Sequence, residues 1–244
     1  MKKRLRLVFI IGGTLCFCLV LVAVLFAEGI LRFHYPSKTR YPVRGVDVSA
    51  HQGEIDWAVL AEQDVQFAYI KATEGSGFTD RLFADNWDGA RKSGLRVGAY
   101  HFFSFDSAGD TQADRFIGTV PLEEGCLPPA VDVEFYGNKA QNPPLQADVR
   151  RELDVLLDRL EEAYGTKPVL YSTGRAYDLY LKGAYAEYPI WIRNVVTKPE
   201  LPDGRHWTFW QYTGRARLDG YRGEERFIDL NVFMGSLEEF QAFF

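Results

Sequence analysis

Cysteine is scarce in this chain of 244 residues: there are only 3, and two of them, Cys16 and Cys18, lie in an apolar N-terminal run. Cys126 is left alone in the remainder, which excludes a disulfide framework and a multi-cysteine zinc site there. Histidine is equally sparse, with 4 residues and no H-E-x-x-H or paired-His spacing. No G-x-S-x-G turn is present, so a Ser-His-Asp hydrolase is disfavoured. Glycine patterns for phosphate binding are missing as well. Gly12-Gly13 falls in the apolar run, and Gly75-x-Gly77 lacks a third glycine. A basic excess is also lacking. Residues 1–40 carry net +6 against −5 for the whole chain, so residues 41–244 sum to −11. Nucleic acid, which calls for a basic face, is not an expected partner.

What is present begins with a basic cluster at residues 2–6, followed by an uncharged run from Leu7 to Ala27. A bilayer core needs roughly 20 apolar helical residues, more than the 7–15 of a signal-peptide core. Ala27-Glu28-Gly29 offers no clear small-x-small cleavage site. Residues 1–32 therefore read as a cytoplasmic stub and a transmembrane anchor, basic end inside. A cleaved signal peptide, giving a secreted protein, is the alternative. Either way the body lies outside the cytoplasm. Residues 33–43, with two prolines, read as a linker to a domain spanning 44–244.

Eight β-rich runs follow: Arg44–Val48, Gln66–Lys71, Arg96–Phe103, Pro129–Glu134, Pro168–Ser172, Pro189–Arg193, Trp207–Tyr212 and Arg226–Asn231. Helical patterns separate the earlier ones, at Asp56–Gln63, Phe83–Ser93, Thr111–Val120 and, most clearly, Gln146–Tyr164, which Gly165 stops. Ala176–Leu181 is weaker, and no convincing helix follows until Ser236–Phe243. The expected fold is α/β: an irregular, TIM-like parallel β/α barrel with eight strands and fewer helices, after one N-terminal transmembrane helix. An open doubly wound sheet is the alternative.

A parallel barrel gathers its site at the C-terminal ends of its strands. Here those ends carry Asp47, Lys71 with Glu74 just beyond, Tyr100 and His101, Asp132 and Glu134, Tyr171, Trp191 and Arg193, Gln211, and Asp229 with Asn231. Asp132 and Glu134 are i and i+2, on one face and ~7 Å apart along a strand. Two carboxyls beside apolar Val131 and Val133 repel each other's charge, so one is held protonated toward neutral pH. An acid next to a carboxylate is what glycosidic cleavage requires. Spacing alone leaves a pair of surface acids equally open. Tyr100 and Trp191 are the aromatic residues expected to meet a sugar face. Phe102, Phe103 and Trp210 are expected in the core. His34 and His206 are expected in solvent, and His51 in the cleft. The four acids with His101 also suit a hard cation, but neither a metal nor another cofactor is expected.

The motifs Gly45-Val-Asp47-Val-Ser49-x-His-Gln52-Gly, Phe67-Ala-Tyr-Ile-Lys71-Ala-Thr-Glu74-Gly and Gly98-Ala-Tyr100-His101-Phe resemble those of glycoside hydrolase family 25, the Chalaropsis-type lysozymes. Val131-Asp132-Val-Glu134, Val169-Leu-Tyr171-Ser172, Trp191-Ile, Trp210-Gln211-Tyr212 and Ile228-Asp229-Leu-Asn231 continue the match in order. The resemblance implies hydrolysis of the β-1,4 bond between N-acetylmuramic acid and N-acetylglucosamine in peptidoglycan strands. It implies Glu134 as general acid/base, with Asp132 holding the substrate acetamide. That acetamide would attack the anomeric carbon to form an oxazoline, with net retention. Asp47 and Asp229 would be further catalytic cleft acids. Tyr100 and Tyr171 match cleft tyrosines, and His101, Lys71, Glu74, Trp191 and Gln211 are the other expected substrate contacts. Where relatives often carry wall-binding repeats, this sequence has an apolar run, an arrangement expected to confine trimming to wall near the membrane. The −11 body offers no electrostatic attraction to an anionic wall. A catalytically weak wall-binding protein, and a hydrolase of a related amino-sugar polymer, are the alternatives.

Overall fold

The computed structural model describes residues 2–243; Met1, Phe244 and the side chains of residues 2–8, among them the basic cluster, lie outside it. Helix α1 (Lys2–Ala27) comes first, and its segment Phe9–Ala27 is long and apolar enough to cross a membrane.

Nine strands follow: β1 (Arg44–Val48), β2 (Phe67–Glu74), β3 (Phe78–Thr79), β4 (Arg96–Phe102), β5 (Ala130–Val133), β6 (Val169–Thr173), β7 (Ile190–Arg193), β8 (Phe209–Ala216) and β9 (Ile228–Phe233). Eight of them close into a barrel, because β1 pairs with both β2 and β9. The two-residue β3 stands outside as a hairpin on the end of β2. The expected eight-stranded barrel with few helices is therefore the fold.

One expectation needs correcting. The strands are not all parallel: β9 runs antiparallel to both β8 and β1. It follows β8 through residues 217–227 without a helix, and a strand returning by a hairpin must reverse.

The helices are α2 (Trp57–Ala61), α3 (Phe83–Lys92), α4 (Gly109–Ile117), α5 (Gln146–Tyr164), the single turn α6 (Gly174–Ala176) and α7 (Leu237–Gln241). In α5 the buried residues are Val149, Leu153, Leu156, Leu157 and Leu160, one stripe at helical spacing, and Gly165 ends it at φ 70°. Its partner is α4, whose Gly109 N–H donates to the Glu152 carboxylate at 2.9 Å. These helices cover the outer face of the strands with one apolar layer.

A second core fills the barrel itself with Phe67, Tyr69, Ala130, Val169, Trp191, Phe209 and Phe233. Alternation along each strand sends these inward and their neighbours outward. The aromatic filling needs glycine opposite it. A Cβ on Gly45 would lie 2.4 Å from the Phe67 ring, and one on Gly98 would lie 2.3 Å from Tyr69.

The stretch read as a linker is packed rather than free. His34, expected in solvent, sits edge-on to Trp210 at 4.9 Å, and Tyr41 packs on Trp207 at 5.7 Å. Val43 is fully buried.

Candidate active site

Inward alternation continues past the aromatic layer, and at the mouth of the barrel the inward residues turn polar. Asp47 comes from β1, Lys71 from β2, Tyr100 and Phe102 from β4, and Asp132 from β5 with Glu134 just beyond its end. Tyr171, Trp191, Arg193, Gln211 and Asp229 complete the ring from β6 to β9. Together they line a cleft of about 550 Å³, a volume in the usual range of ligand sites. The antiparallel course of β9 explains one position. Asp229 is the second residue of its strand, yet it reaches the mouth because that strand starts there, paired with Asp47.

The floor is a hydrogen-bonded chain. The Tyr171 hydroxyl donates to Gln211 Oε1 at 3.0 Å, and Gln211 Nε2 donates to both Asp47 oxygens at 3.2 and 3.0 Å. Asn231 Nδ2 donates to Asp47 Oδ2 at 2.7 Å, while Asn231 Oδ1 accepts from the Trp191 indole N–H at 2.8 Å. Trp191 stacks on Tyr69 at 4.9 Å and meets Tyr171 edge-on at 4.8 Å, so it is a floor residue with 2% exposure.

Four carboxyls share this sparsely solvated space. Burial pushes Asp47 up to about 6, held back by the amide donors from Asn231 and Gln211. Asp132 is raised well above the ordinary carboxyl range, first by burial and then by Glu134 and Asp47. Asp229 is raised likewise, by burial and then by Asp47. Glu134 is raised by burial, with the Arg193 guanidinium opposing the shift. Like charges this close do not all ionise at neutral pH, so the cluster retains protons. Among the described residues, Asp132 Oδ1 is buried and accepts no hydrogen bond.

Nine of the eleven residues expected at the site line the cleft: Asp47, Lys71, Tyr100, Asp132, Glu134, Tyr171, Trp191, Gln211 and Asp229. His101 and Glu74 do not, and the strand-end reading is corrected there. His101 follows Tyr100, so alternation turns it outward. It is fully buried between Thr73, at 2.7 Å from Nδ1, and Gln112, at 3.0 Å from Nε2. Burial lowers it to about 4, so it is a neutral packing residue. Glu74 lies beyond an irregularity between Lys71 and Thr73 and binds the Lys71 ammonium at 2.6 Å from outside the cleft. Phe102 lines the cleft rather than the core, whereas Phe103 and Trp210 are core as expected. His51 lines the cleft too. Arg215, Glu225 and Phe227 also line it, from the β8 end and the β8–β9 connection. Phe227 lies in the expected eighth strand, two residues before Asp229, so alternation could have flagged it; Glu225 lies before that run, where no strand periodicity applies.

The sequence profile of Glycosyl hydrolases family 25 matches residues 46–221. The "Uncharacterized protein YegX" of Escherichia coli O157:H7 is 38% identical over 215 residues, covering 86% of this chain and 75% of that protein. "Lysozyme M1" of Streptomyces globisporus is 33% identical over 204 residues, covering 80% of this chain and 68% of that protein. A family 25 glycosyl hydrolase structure from Bacillus anthracis superposes with a TM-score of 0.83 at 55% identity, covering 87% of this chain and 97% of that one.

Proposed function

Because this chain belongs to glycosyl hydrolases family 25, and is a peptidoglycan hydrolase of the lysozyme type, we propose that Glu134 and Asp132 divide its chemistry as acid/base and acetamide holder. The observation that carries this assignment is the Asp132 carboxyl. It is buried beside Glu134 at the lining of a sugar-sized cleft, and one of its oxygens has no hydrogen-bond partner. A buried acceptor without a donor costs about 1–3 kcal/mol, which an amide N–H from substrate would recover.

The bond cleaved joins N-acetylmuramic acid to N-acetylglucosamine. Glu134, whose acid form burial favours, gives its proton to the glycosidic oxygen as the bond to the anomeric carbon breaks. The acetamide oxygen of the muramic acid residue attacks that carbon from the opposite face and closes an oxazoline. Asp132 accepts the acetamide N–H and stabilises the positive charge that develops there. Glu134, now a carboxylate, takes a proton from water, which opens the oxazoline from the face the leaving group left. Two inversions give net retention without an enzyme nucleophile, a recognised departure from the two-carboxylate scheme. Asp47 and Asp229 hold sugar hydroxyls and keep the shared protons on the pair. Tyr100 and Tyr171 wall the −1 sugar, and Lys71 and Arg193 balance the acids.

Helix α1 is read as a membrane anchor, with the hydrolase outside the cytoplasm. The length of its apolar segment and the basic residues that precede that segment support this reading. Digestion of purified peptidoglycan, with the products read by mass spectrometry, tests the activity. Fragments ending in reducing muramic acid are expected, and reducing glucosamine ends would overturn the bond assignment.

A further inference from the structure

The route of the chain between α1 and β1 fixes which way the cleft faces. The end of α1 touches the mouth of the barrel: Arg215 Nη1 donates to the Ala27 carbonyl at 3.1 Å, and Glu28 pairs with Arg217 at 2.5 Å and with Arg226. The chain then descends the outside of the barrel. His34 reaches Trp210, Lys38 pairs with Asp64 at 2.6 Å, and Tyr41 reaches Trp207 before β1 starts at the far end. A helix that crosses a bilayer and ends at the mouth puts that mouth next to the bilayer. Ile30 and Phe33, in the segment just after the helix, are exposed apolar residues.

A second groove of about 330 Å³ lies between the helix end and the barrel. Arg193, Gly214 and Arg215 line both this groove and the cleft, so the two adjoin. Its far wall is apolar, with Leu31 and Phe33, and carries Arg32, whose buried Nε has no hydrogen-bond partner. No carboxylate lines it, although residues 41–244 sum to −11. Guanidinium groups beside an apolar wall, next to a membrane and adjoining a glycan cleft, match one chemistry: a phosphorylated sugar end carried on a lipid.

We propose that this groove binds the diphosphate of a glycan strand still attached to a membrane lipid, with Arg32 and Arg215 on the phosphates and Phe33 against the lipid. The proposal rests on the hydrolase and anchor readings above. It makes the membrane-bound strand, rather than finished wall, the preferred substrate.

The test uses the full chain in vesicles of neutral phospholipid. The substrates are glycan strands linked through diphosphate to a polyprenyl lipid, and the same strands after mild acid has removed the lipid diphosphate. The wild type is expected to show a lower KM for the linked strand. Arg32→Ala is expected to raise that KM ~10-fold at unchanged kcat and to leave the released strand unaffected, with Arg32→Lys recovering part of the loss. An equal effect on both strands, or on neither, overturns the proposal. Failure to cut either strand overturns the hydrolase reading instead. Failure to float with vesicles overturns the anchor reading and this proposal with it.

Discussion

Asp47 and Asp229 are direct partners across an antiparallel pair, one near the end of β1 and the other near the start of β9. That reversal lets the last strand of the barrel contribute an acid to the mouth and leaves no edge open. It also concentrates carboxyls. The charge of Asp47 acts on Asp229, on Asp132 and on Glu134, raising all three.

Glu134→Gln removes the proton that the leaving group needs while keeping the side chain's shape. Release of reducing ends is expected to fall ~10²–10⁴-fold, with affinity for peptidoglycan retained in a pull-down. Clearing of wall material at the parent rate would contradict the assignment.

Activity is expected to fall as pH rises through the raised Glu134 value, because the acid form is lost. It is also expected to fall on the acid side, where the coupled cluster takes up a further proton and no carboxylate is left to accept the acetamide N–H. A rate profile flat from mildly acidic to alkaline pH would be inconsistent with a shared-proton cluster.

Asp132→Asn separates stability from activity. Asp132 titrates higher folded than unfolded, since burial disfavours its charge. Its contribution to stability is therefore present in full below the unfolded value of about 4 and is lost as pH rises through the folded value. The variant lacks that loss. Its Tm advantage over the parent is expected to grow as pH rises above about 4, while hydrolysis is lost. A Tm difference that stays constant with pH would count against the raised value.

Gly214→Ala is a one-methyl probe of Asp229. The added Cβ would lie 2.8 Å from Asp229 Oδ1, so the carboxyl must move. A displacement of about 1 Å can cost ~10²-fold in rate. A drop in kcat with little change in Tm is expected. Parental kinetics would show that Asp229 has no positional role.

Gly98→Ala tests the filling of the barrel rather than the site, since its Cβ would meet the Tyr69 ring at 2.3 Å. Overpacking of this kind costs ~1–3 kcal/mol, read as a lower midpoint in urea. An unchanged midpoint would mean that the aromatic layer yields freely.

Most of the site was legible because a parallel barrel collects strand ends, and a period of two tells which residues share a face. Asp132 with Glu134 and Trp191 with Arg193 follow from that rule. The same rule, applied one residue further, sends His101 outward beside Gln112. The direction of β9 was not legible, because alternation is identical in both directions along a strand. Glu225 comes from an irregular connection whose course depends on tertiary contacts such as Gly223 against His51 and Gln52. The packing of residues 33–43 was hidden for a related reason. Two prolines and mixed polar groups look like a spacer until Trp207 and Trp210 provide a surface.

The most direct test of the Asp132–Glu134 mechanism is the anomeric configuration of the product as it first forms, followed by proton NMR during hydrolysis of a peptidoglycan fragment. Substrate-assisted attack predicts the β anomer first, with the α form growing in only by mutarotation. An initial α anomer would mean direct attack by water, and would contradict the account.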